Sequence, residues 1–250
     1  MKHQNLVLCV QKHHVTHALG GKLEHGIHGL STQAILESIQ PHLEYRKRAD
    51  LEEDHNYLHF IPYILFPTTE IDQETGLLTT SLATYRRPGK GEGEARLHGK
   101  LSIGYGGHVE EEDATKGEKV SGDITESYLL FDETIYKCVR REIGEEVGFR
   151  VADVNEAANL ELQIVNSKSV IVDHSEDVGR VHLGLLYMGI LPRDVTAYPV
   201  EDDNEDGGYI ALRDLRTDHW DELEGWSRMV VDSLLKNEIE FNNNVLATKK

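Results

Sequence analysis

The net charge of −18 over 250 residues argues against a nucleic-acid polymer as the main partner, because that binding relies on clustered lysine and arginine. With 39% hydrophobic and 28% charged residues, the composition excludes a disordered chain and predicts a folded core. No run approaches the roughly 18 apolar residues of a membrane span, and the first residues are too polar for a secretory signal, so we expect a cytoplasmic protein. Cys9 and Cys138 are too few for a disulfide framework, and we expect both to be reduced and packed.

The amino-terminal residues 1–55 combine a β-branched run, a histidine-rich segment and one helical pattern. LVLCV, residues 6–10, predicts a strand, and apolar residues at helical spacing predict a helix over 32–43. The histidines of this part fit no established metal-ligand motif, and we interpret them as surface residues: His13, His14, His17, His25 and His28.

From residue 57 onward the pattern changes to strands. LHFIPYILF, an acidic turn at 72–76 and LLTTSLATYRR predict a hairpin. A glycine-rich loop leads into LSIGYGGHVEEED, a helix is predicted over about 133–147, and LELQIVN and VHLGLLYMGIL predict two further strands. A last helix is predicted over about 220–240. Strands and helices mix without regular alternation, which predicts an α/β or α+β sandwich with a mixed sheet in a single domain of residues 1–250.

The helix in ETIYKCVRREIGEEVGF carries three glutamates, Glu142, Glu145 and Glu146, within an arc of roughly 100°. An adjoining apolar stripe, which would bury the helix against a sheet, repeats every fourth residue: Ile135, Val139, Ile143 and Val147. Like charges at this spacing destabilise a helix slightly, so three glutamates beside a buried face favour a bound cation. Hard carboxylate oxygens select Mg²⁺ or Mn²⁺. The alternative for an arbitrary glutamate triplet is a solvated acidic face.

This stretch resembles the Nudix box, Gly-x5-Glu-x7-Arg-Glu-U-x-Glu-Glu-x-Gly-U, in which U is a bulky apolar residue. Eight specified positions match in order: Glu133, Arg141, Glu142, Ile143, Glu145, Glu146, Gly148 and Phe149. We expect Arg141 to pair with Glu133, and Gly148 to adopt the left-handed conformation just past the helix end. The resemblance is specific over 133–149. It extends over an expected core at about 58–215, with residues 1–55 as an extension, and the chain also resembles a group described as predicted Nudix-type phosphoesterases.

One position departs from the family pattern. The first glycine of the box would stand at position 127, which is a serine, and the glycine pair before the helix is Gly106-Gly107. SIGYGGHVE resembles the strand and loop with which the family's box begins, so we expect an insertion of about 20 residues within 108–132, as a lid or a mobile loop. The carbonyl of Gly106 or Gly107 then reaches the metal, as the family's loop glycine does.

The resemblance implies a Nudix-like α/β/α sandwich with a mixed β-sheet. It also implies a Mg²⁺-dependent pyrophosphohydrolase that cleaves a diphosphate linkage in a nucleoside diphosphate derivative, a small-molecule substrate. Glu145 and Glu146 are then metal ligands, and Glu142 is a ligand or the general base. In similar proteins an acidic residue before the last core strand joins the site, and of the acidic residues in that loop we select Glu205 as a second base candidate.

Two arginines and a histidine are candidates for binding the substrate. Arg86 and Arg87 end a predicted strand and would present guanidinium groups to phosphate oxygens, with ordinary surface arginines as the alternative. His108 follows the glycine pair and is a further phosphate contact, unless it is a solvated loop histidine. Tyr85 and Tyr105 would stack on a base, although aromatic residues in strands are more often core.

Two other functions stay open. A non-catalytic Nudix-fold module that senses a nucleotide is favoured by the absent glycine at 127 and by the long insertion. An isoprenoid diphosphate isomerase is less favoured, because its cysteine motif cannot be placed around Cys9 or Cys138. The leaving group and the oligomeric state are not determined by the sequence, and a homodimer is one option.

Overall fold

The computed structural model groups the chain into two compact units, each made of three chain segments. The first unit comprises Met1–Tyr63, Gly106–Ile143 and Lys168–Leu186, and the second comprises Ile64–Tyr105, Gly144–Ser167 and Tyr187–Lys250. Folding as a single domain stays a prediction. The residues that the structure describes are 5–29, 38–89, 97–121, 124–151, 162–175, 177–201 and 204–248, so residues 32–37 of the helix predicted over 32–43 lie outside them.

The secondary structure mixes fourteen strands with helices among the described residues. The strands are β1 (Leu6–Gln11), β2 (Gly26–Gly29), β3 (Glu44–Lys47), β4 (Tyr57–Leu65), β5 (Pro67–Ile71), β6 (Leu78–Arg86), β7 (Leu101–Ser102), β8 (Lys116–Ser121), β9 (Ile124–Leu129), β10 (Val147–Val151), β11 (Gln163–Val172), β12 (His182–Ile190), β13 (Val195–Pro199) and β14 (Glu205–Ala211). The α-helices are α1 (Lys12–Ala18), α2 (Arg48–Leu51), α3 (Phe131–Glu146), α4 (Asp177–Arg180), α5 (Leu212–Thr217) and α6 (Gly225–Thr248). Short 3₁₀ turns cover Gln40–His42 and Glu111–Asp113.

The first unit is organised around a six-stranded sheet with the order β2-β11-β12-β4-β1-β3. The predicted strand LVLCV is confirmed as β1, which pairs antiparallel with both β3 and β4. Its residues Val7 to Val10 are fully buried, as expected of an interior strand whose side chains are covered on both faces. Residues 1–55 therefore supply three strands to this sheet.

Helix α3 confirms the predicted helix, with bounds two residues earlier at the start and one residue earlier at the end. Ile135, Val139 and Ile143 of the predicted stripe are buried, together with Cys138 between them. Val147 is buried as well, but it begins β10. Both cysteines are buried and free, as the sequence predicted.

The insertion contains an antiparallel hairpin, β8 with β9. The backbone N–H of Leu130 donates to the carbonyl of Thr115 over 2.8 Å, so the two ends of the hairpin meet. The backbone N–H of Thr115 also donates to Oγ1 of Thr134 in α3 over 3.0 Å. The insertion thus leaves and rejoins the unit at one place beside the helix.

The second unit holds a sheet of order β14-β6-β5, with β7 also paired to β6, and a separate antiparallel pair of β10 and β13. The predicted hairpin is confirmed in part. Its second strand is β6, but the first is β5, which follows the longer β4. The carboxylate of Asp72 accepts the backbone N–H of Thr75 over 2.6 Å in the turn, and Gly76 has a φ of +68°, which glycine adopts without strain.

The mixed α/β class and the mixed sheet predicted from the sequence are confirmed. None of the helices in the described segments is long and apolar enough to cross a membrane.

Candidate active site

The three glutamates predicted to hold metal stand near the end of α3, which closes with Glu145 and Glu146. Glu142 is only 6% exposed, Glu146 is half-buried and Glu145 is exposed. Arg141 donates from Nη1 to Oε1 of Glu142 over 2.7 Å. Because a buried carboxylate loses its hydration, it requires either such a partner or a cation.

Gly107 lies against the carboxylate of Glu142. A Cβ atom at position 107 would stand 2.7 Å from Oε1 and 2.9 Å from Oε2 of Glu142, closer than real Cβ contacts. Glycine is therefore the residue that lets the loop approach the glutamate this closely. Its neighbour Gly106 has a φ of +134°, a conformation that other L-residues rarely adopt. The glycine pair is thus placed beside α3, as the family resemblance implied.

Arg141 is held by Asp113, and this corrects the expected pairing with Glu133. The guanidinium donates from Nη2 and Nε to the two carboxylate oxygens of Asp113, over 2.8 and 3.1 Å. Asp113 is 1% exposed and also accepts the backbone N–H of Glu110 over 2.9 Å. Glu133 lies exposed in the first turn of α3, about 12 Å along the axis from Arg141 at 1.5 Å per residue.

The position of Asp113 changes how the sequence fits the box. Asp113 follows Gly107 after five intervening residues, which is the spacing of Gly-x5-Glu with aspartate in place of glutamate. The inserted hairpin then stands between Asp113 and the Arg-Glu of α3. The match of Glu133 to the consensus is coincidental, and Ser127 is an exposed residue of β9 with no counterpart in the box. Counting onward from the glycine pair would have found Asp113 from the sequence.

Gly148 does not adopt the expected left-handed conformation. It belongs to β10 and pairs with Tyr198 of β13. A Cβ at this position would stand 2.4 Å from the Tyr198 ring, so a side chain here would require that ring to move. Close packing across two strands, and not helix termination, accounts for this glycine of the motif.

Comparison with known proteins bears on the fold. No family model matches the chain. Protein YmaB of Bacillus subtilis (strain 168) is 28% identical over 201 residues, which cover 80% of this chain and 82% of that protein. The crystal structure of Tm1382, a candidate Nudix hydrolase, superposes with a TM-score of 0.61 at 23% identity, over 92% of this chain and 98% of that one. The chain has a Nudix-like fold. The similarity to Tm1382 concerns the fold alone.

In this Nudix-like fold, the two arginines predicted to bind phosphate are engaged in ion pairs within the second unit. Arg86 donates from Nη1 to the carbonyl of Gly99 over 2.8 Å, and its Nη2 bonds the carboxylate of Glu222. Arg87 donates from Nε to Glu224 over 2.9 Å, and Glu224 is 5% exposed. These contacts favour a structural role for both arginines, and a substrate contact stays a prediction.

The acidic loop before β14 supplies the second base candidate. Glu205 is exposed at the start of β14 and stands opposite Arg86 in the strand register. Of the other acidic residues in that loop, Glu201 is exposed and Asp203 lies outside the described residues. Tyr85 and Tyr105 are buried with ring centroids 4.8 Å apart, so the alternative that both belong to the core is confirmed.

His108 belongs to a cluster with His59 and His182 that sequence reasoning missed. Its Nε2 lies 3.1 Å from Nε2 of His182. Ligand nitrogens of the three rings all lie within 4.8 Å of one another, and this is the one such group found among the described residues. The ring of His108 thus lies among other histidines, and its contact with phosphate stays a prediction. The five amino-terminal histidines discounted as metal ligands are not part of the cluster.

Burial lowers the pKa of two of the clustered imidazoles, those of His59 and His108. His59 is fully buried, and desolvation, followed by the neighbouring His182, lowers its pKa to about 3. Desolvation, and next to it His182, also lowers the pKa of His108 well below the usual value. Neither ring nitrogen of His59 has a hydrogen-bond partner, and a buried polar atom left so costs about 1–3 kcal/mol. A histidine inside the apolar run LHFIPYILF was the sequence signal for this cluster.

Proposed function

We propose that the chain is a Mg²⁺-dependent hydrolase that cleaves a diphosphate linkage in a nucleoside diphosphate derivative. The observation that carries the proposal is the contact between Gly107 and the buried carboxylate of Glu142. The loop glycine and the helix glutamate are separated in sequence by an inserted hairpin, and their proximity supports the interpretation of both as parts of one Nudix-type motif. A loop that requires glycine beside a buried glutamate is explained by a site that uses both the loop backbone and the carboxylate.

The donor set at the end of α3 suits a hard divalent cation. Carboxylates of Glu142, Glu145 and Glu146 and the carbonyl of Gly107 are oxygen ligands of the kind that Mg²⁺ and Mn²⁺ prefer. Bound Mg²⁺ would polarise the phosphoryl oxygens of the substrate. The net charge of −18 supports this assignment, because such an acidic protein needs a cation to approach a polyphosphate.

Individual side chains are then assigned to metal binding, to proton transfer and to positioning. Glu145 and Glu146 are assigned as metal ligands, and Glu142 is a ligand or the base that takes the proton from the attacking water. Glu205 is the second base candidate. Arg141 acts as a positioning residue, since it holds Glu142 on one side and Asp113 on the other.

Turnover of a panel of nucleoside diphosphate derivatives tests the proposal. Wild type should release a mononucleotide or phosphate with Mg²⁺ and not with a chelator. The Glu145→Gln and Glu146→Gln variants should lose about 100-fold or more in kcat. Glu133→Gln is the matched control, because Glu133 is an exposed glutamate of the same helix. Tight binding with every ligand recovered intact would overturn the proposal and favour the sensing module.

A further inference from the structure

The histidine cluster joins three separate segments of the first unit. His59 lies in β4, and His182 begins the neighbouring strand β12. The backbone N–H of His59 donates to the carbonyl of Val181 over 2.8 Å, which fixes the two strands side by side. His108 reaches them from the loop that precedes the 3₁₀ turn at Glu111–Asp113. One imidazole comes from each of three chain segments, so the cluster is a product of the fold.

Hydrogen bonding does not account for this cluster. Nε2 of His108 and Nε2 of His182 lie at hydrogen-bond distance, 3.1 Å apart. His59 is fully buried, and both of its ring nitrogens are without a hydrogen-bond partner. Its ring centroid is 4.8 Å from that of His182 and 5.5 Å from that of His108. Buried polar groups are normally satisfied, so the two nitrogens of His59 are positioned to take a ligand.

The spacing of the nitrogens suits a small divalent cation. A tetrahedral zinc ion with Zn–N bonds of 2.0–2.1 Å places its nitrogen ligands about 3.3 Å apart. The 3.1 Å separation between His108 and His182 is close to one edge of that tetrahedron. The remaining nitrogen separations are at most 4.8 Å, and rotation of an imidazole can shorten such a distance. Neutral imidazole is a preferred ligand of Zn²⁺, whereas Mg²⁺ prefers oxygen.

Two arginines near the cluster are each neutralised by a carboxylate. Arg48 and Arg141 both act on the ring of His108 as positive charges. Arg48 is paired with Glu52 over 2.7 Å, and Arg141 is paired with Asp113 over 2.8 Å. These ion pairs reduce the repulsion that a divalent cation would meet.

We propose that His59, His108 and His182 form a Zn²⁺-binding centre that ties β4, β12 and the loop after Gly107 together. Its three imidazole nitrogens leave a fourth position for water or another ligand. The centre is distinct from the carboxylate site in its donor atoms and in the metal it selects. It therefore does not depend on the proposed hydrolase activity.

Zinc uptake by metal-free protein tests the proposal. Equilibrium dialysis followed by elemental analysis should give one Zn²⁺ per chain in the presence of excess Mg²⁺. His59→Gln and His182→Gln should each lose stoichiometric uptake. His98→Gln is the matched control, because Nε2 of His98 is also buried without a partner but lies outside the cluster. The Glu146→Gln variant should keep its zinc, which separates this outcome from failure of the hydrolase proposal.

Wild-type protein provides a second readout that does not depend on the folding of variants. Zinc should shift the side-chain ¹⁵N resonances of His59, His108 and His182 and leave those of the amino-terminal histidines unchanged. Co²⁺ in place of Zn²⁺ should give the visible absorption of a tetrahedral site. Equal zinc uptake by wild type and the His59→Gln variant would overturn the proposal, as would unchanged ring resonances. Either result would assign the cluster to buried water.

Discussion

Gly107→Ala isolates the contact on which the proposed hydrolase depends. The new methyl group would stand 2.7 Å from Oε1 of Glu142, and a tolerable contact needs at least 3.0–3.4 Å. The carboxylate or the loop must therefore move by about 0.5 Å. A misplacement of 1 Å at a reacting group can cost 100-fold in rate, so we expect about a tenfold loss in kcat. Overpacking should lower the free energy of unfolding by about 1–3 kcal/mol. Alanine also reduces the conformational entropy of the unfolded chain, which offsets part of this loss, so the variant stays folded.

The assay compares turnover, Mn²⁺ affinity and urea unfolding for Gly107→Ala with the same measurements for Gly144→Ala. Gly144 is exposed in α3, the helix that also carries Glu142, and a Cβ at position 144 meets nothing within 4 Å. The control should gain about 1 kcal/mol of stability from helix propensity and keep its activity. Wild-type kcat and Mn²⁺ affinity in the Gly107 variant would refute the reasoning, because the contact would then have no role in the site.

Two predictions concern stability. Asp113→Asn should lower the free energy of unfolding by about 2 kcal/mol in urea titrations, because the Arg141 guanidinium loses one buried carboxylate partner and keeps another, Glu142. The exposed Glu133→Gln should change it by less than about 0.5 kcal/mol. The opposite ranking would restore Glu133 as the partner. Burial, and next to it Glu44, raises the pKa of Cys9 from an ordinary value near 9 to about 12, so above pH 9 the unfolded chain ionises while the native thiol stays protonated. Cys9 should contribute about 1 kcal/mol to the fall in stability from pH 9 to 10, and Cys9→Ala should reduce the slope accordingly; equal slopes would contradict the shift.

Periodicity predicted the elements whose burial is regular. Helix α3 has a clear apolar stripe, and β1 is a continuous apolar run, so both were found within a few residues. Strand β5 was missed, because the predicted strand LHFIPYILF ends at Phe66 and corresponds to β4. Tertiary pairing separates them, since β4 pairs with β1 whereas β5 pairs with β6.

The site was predictable only where its residues are contiguous. Glu142, Glu145 and Glu146 share one helix, so spacing alone placed them together. Asp113 was missed because a hairpin separates it from Arg141, while an unrelated glutamate stood at the consensus spacing. A sequence motif does not specify which carboxylate forms an ion pair with a given arginine in the folded protein. The histidine cluster was missed for the same reason, since its members come from three distant segments.

The insertion is tolerated because the loop before it is fixed independently of the hairpin. Gly107 packs on Glu142, and the next carbonyl, of His108, accepts a hydrogen bond from Nη2 of Arg141 over 3.0 Å. The carbonyl of Val109 then accepts the backbone N–H of Leu8 over 2.8 Å. The chain is thus anchored to α3 and to β1 before the hairpin begins. Since the hairpin closes on itself beside the helix, the extra residues add only the small entropy of a longer loop. The spacing of a motif is then free to change while the contacts that define it are kept.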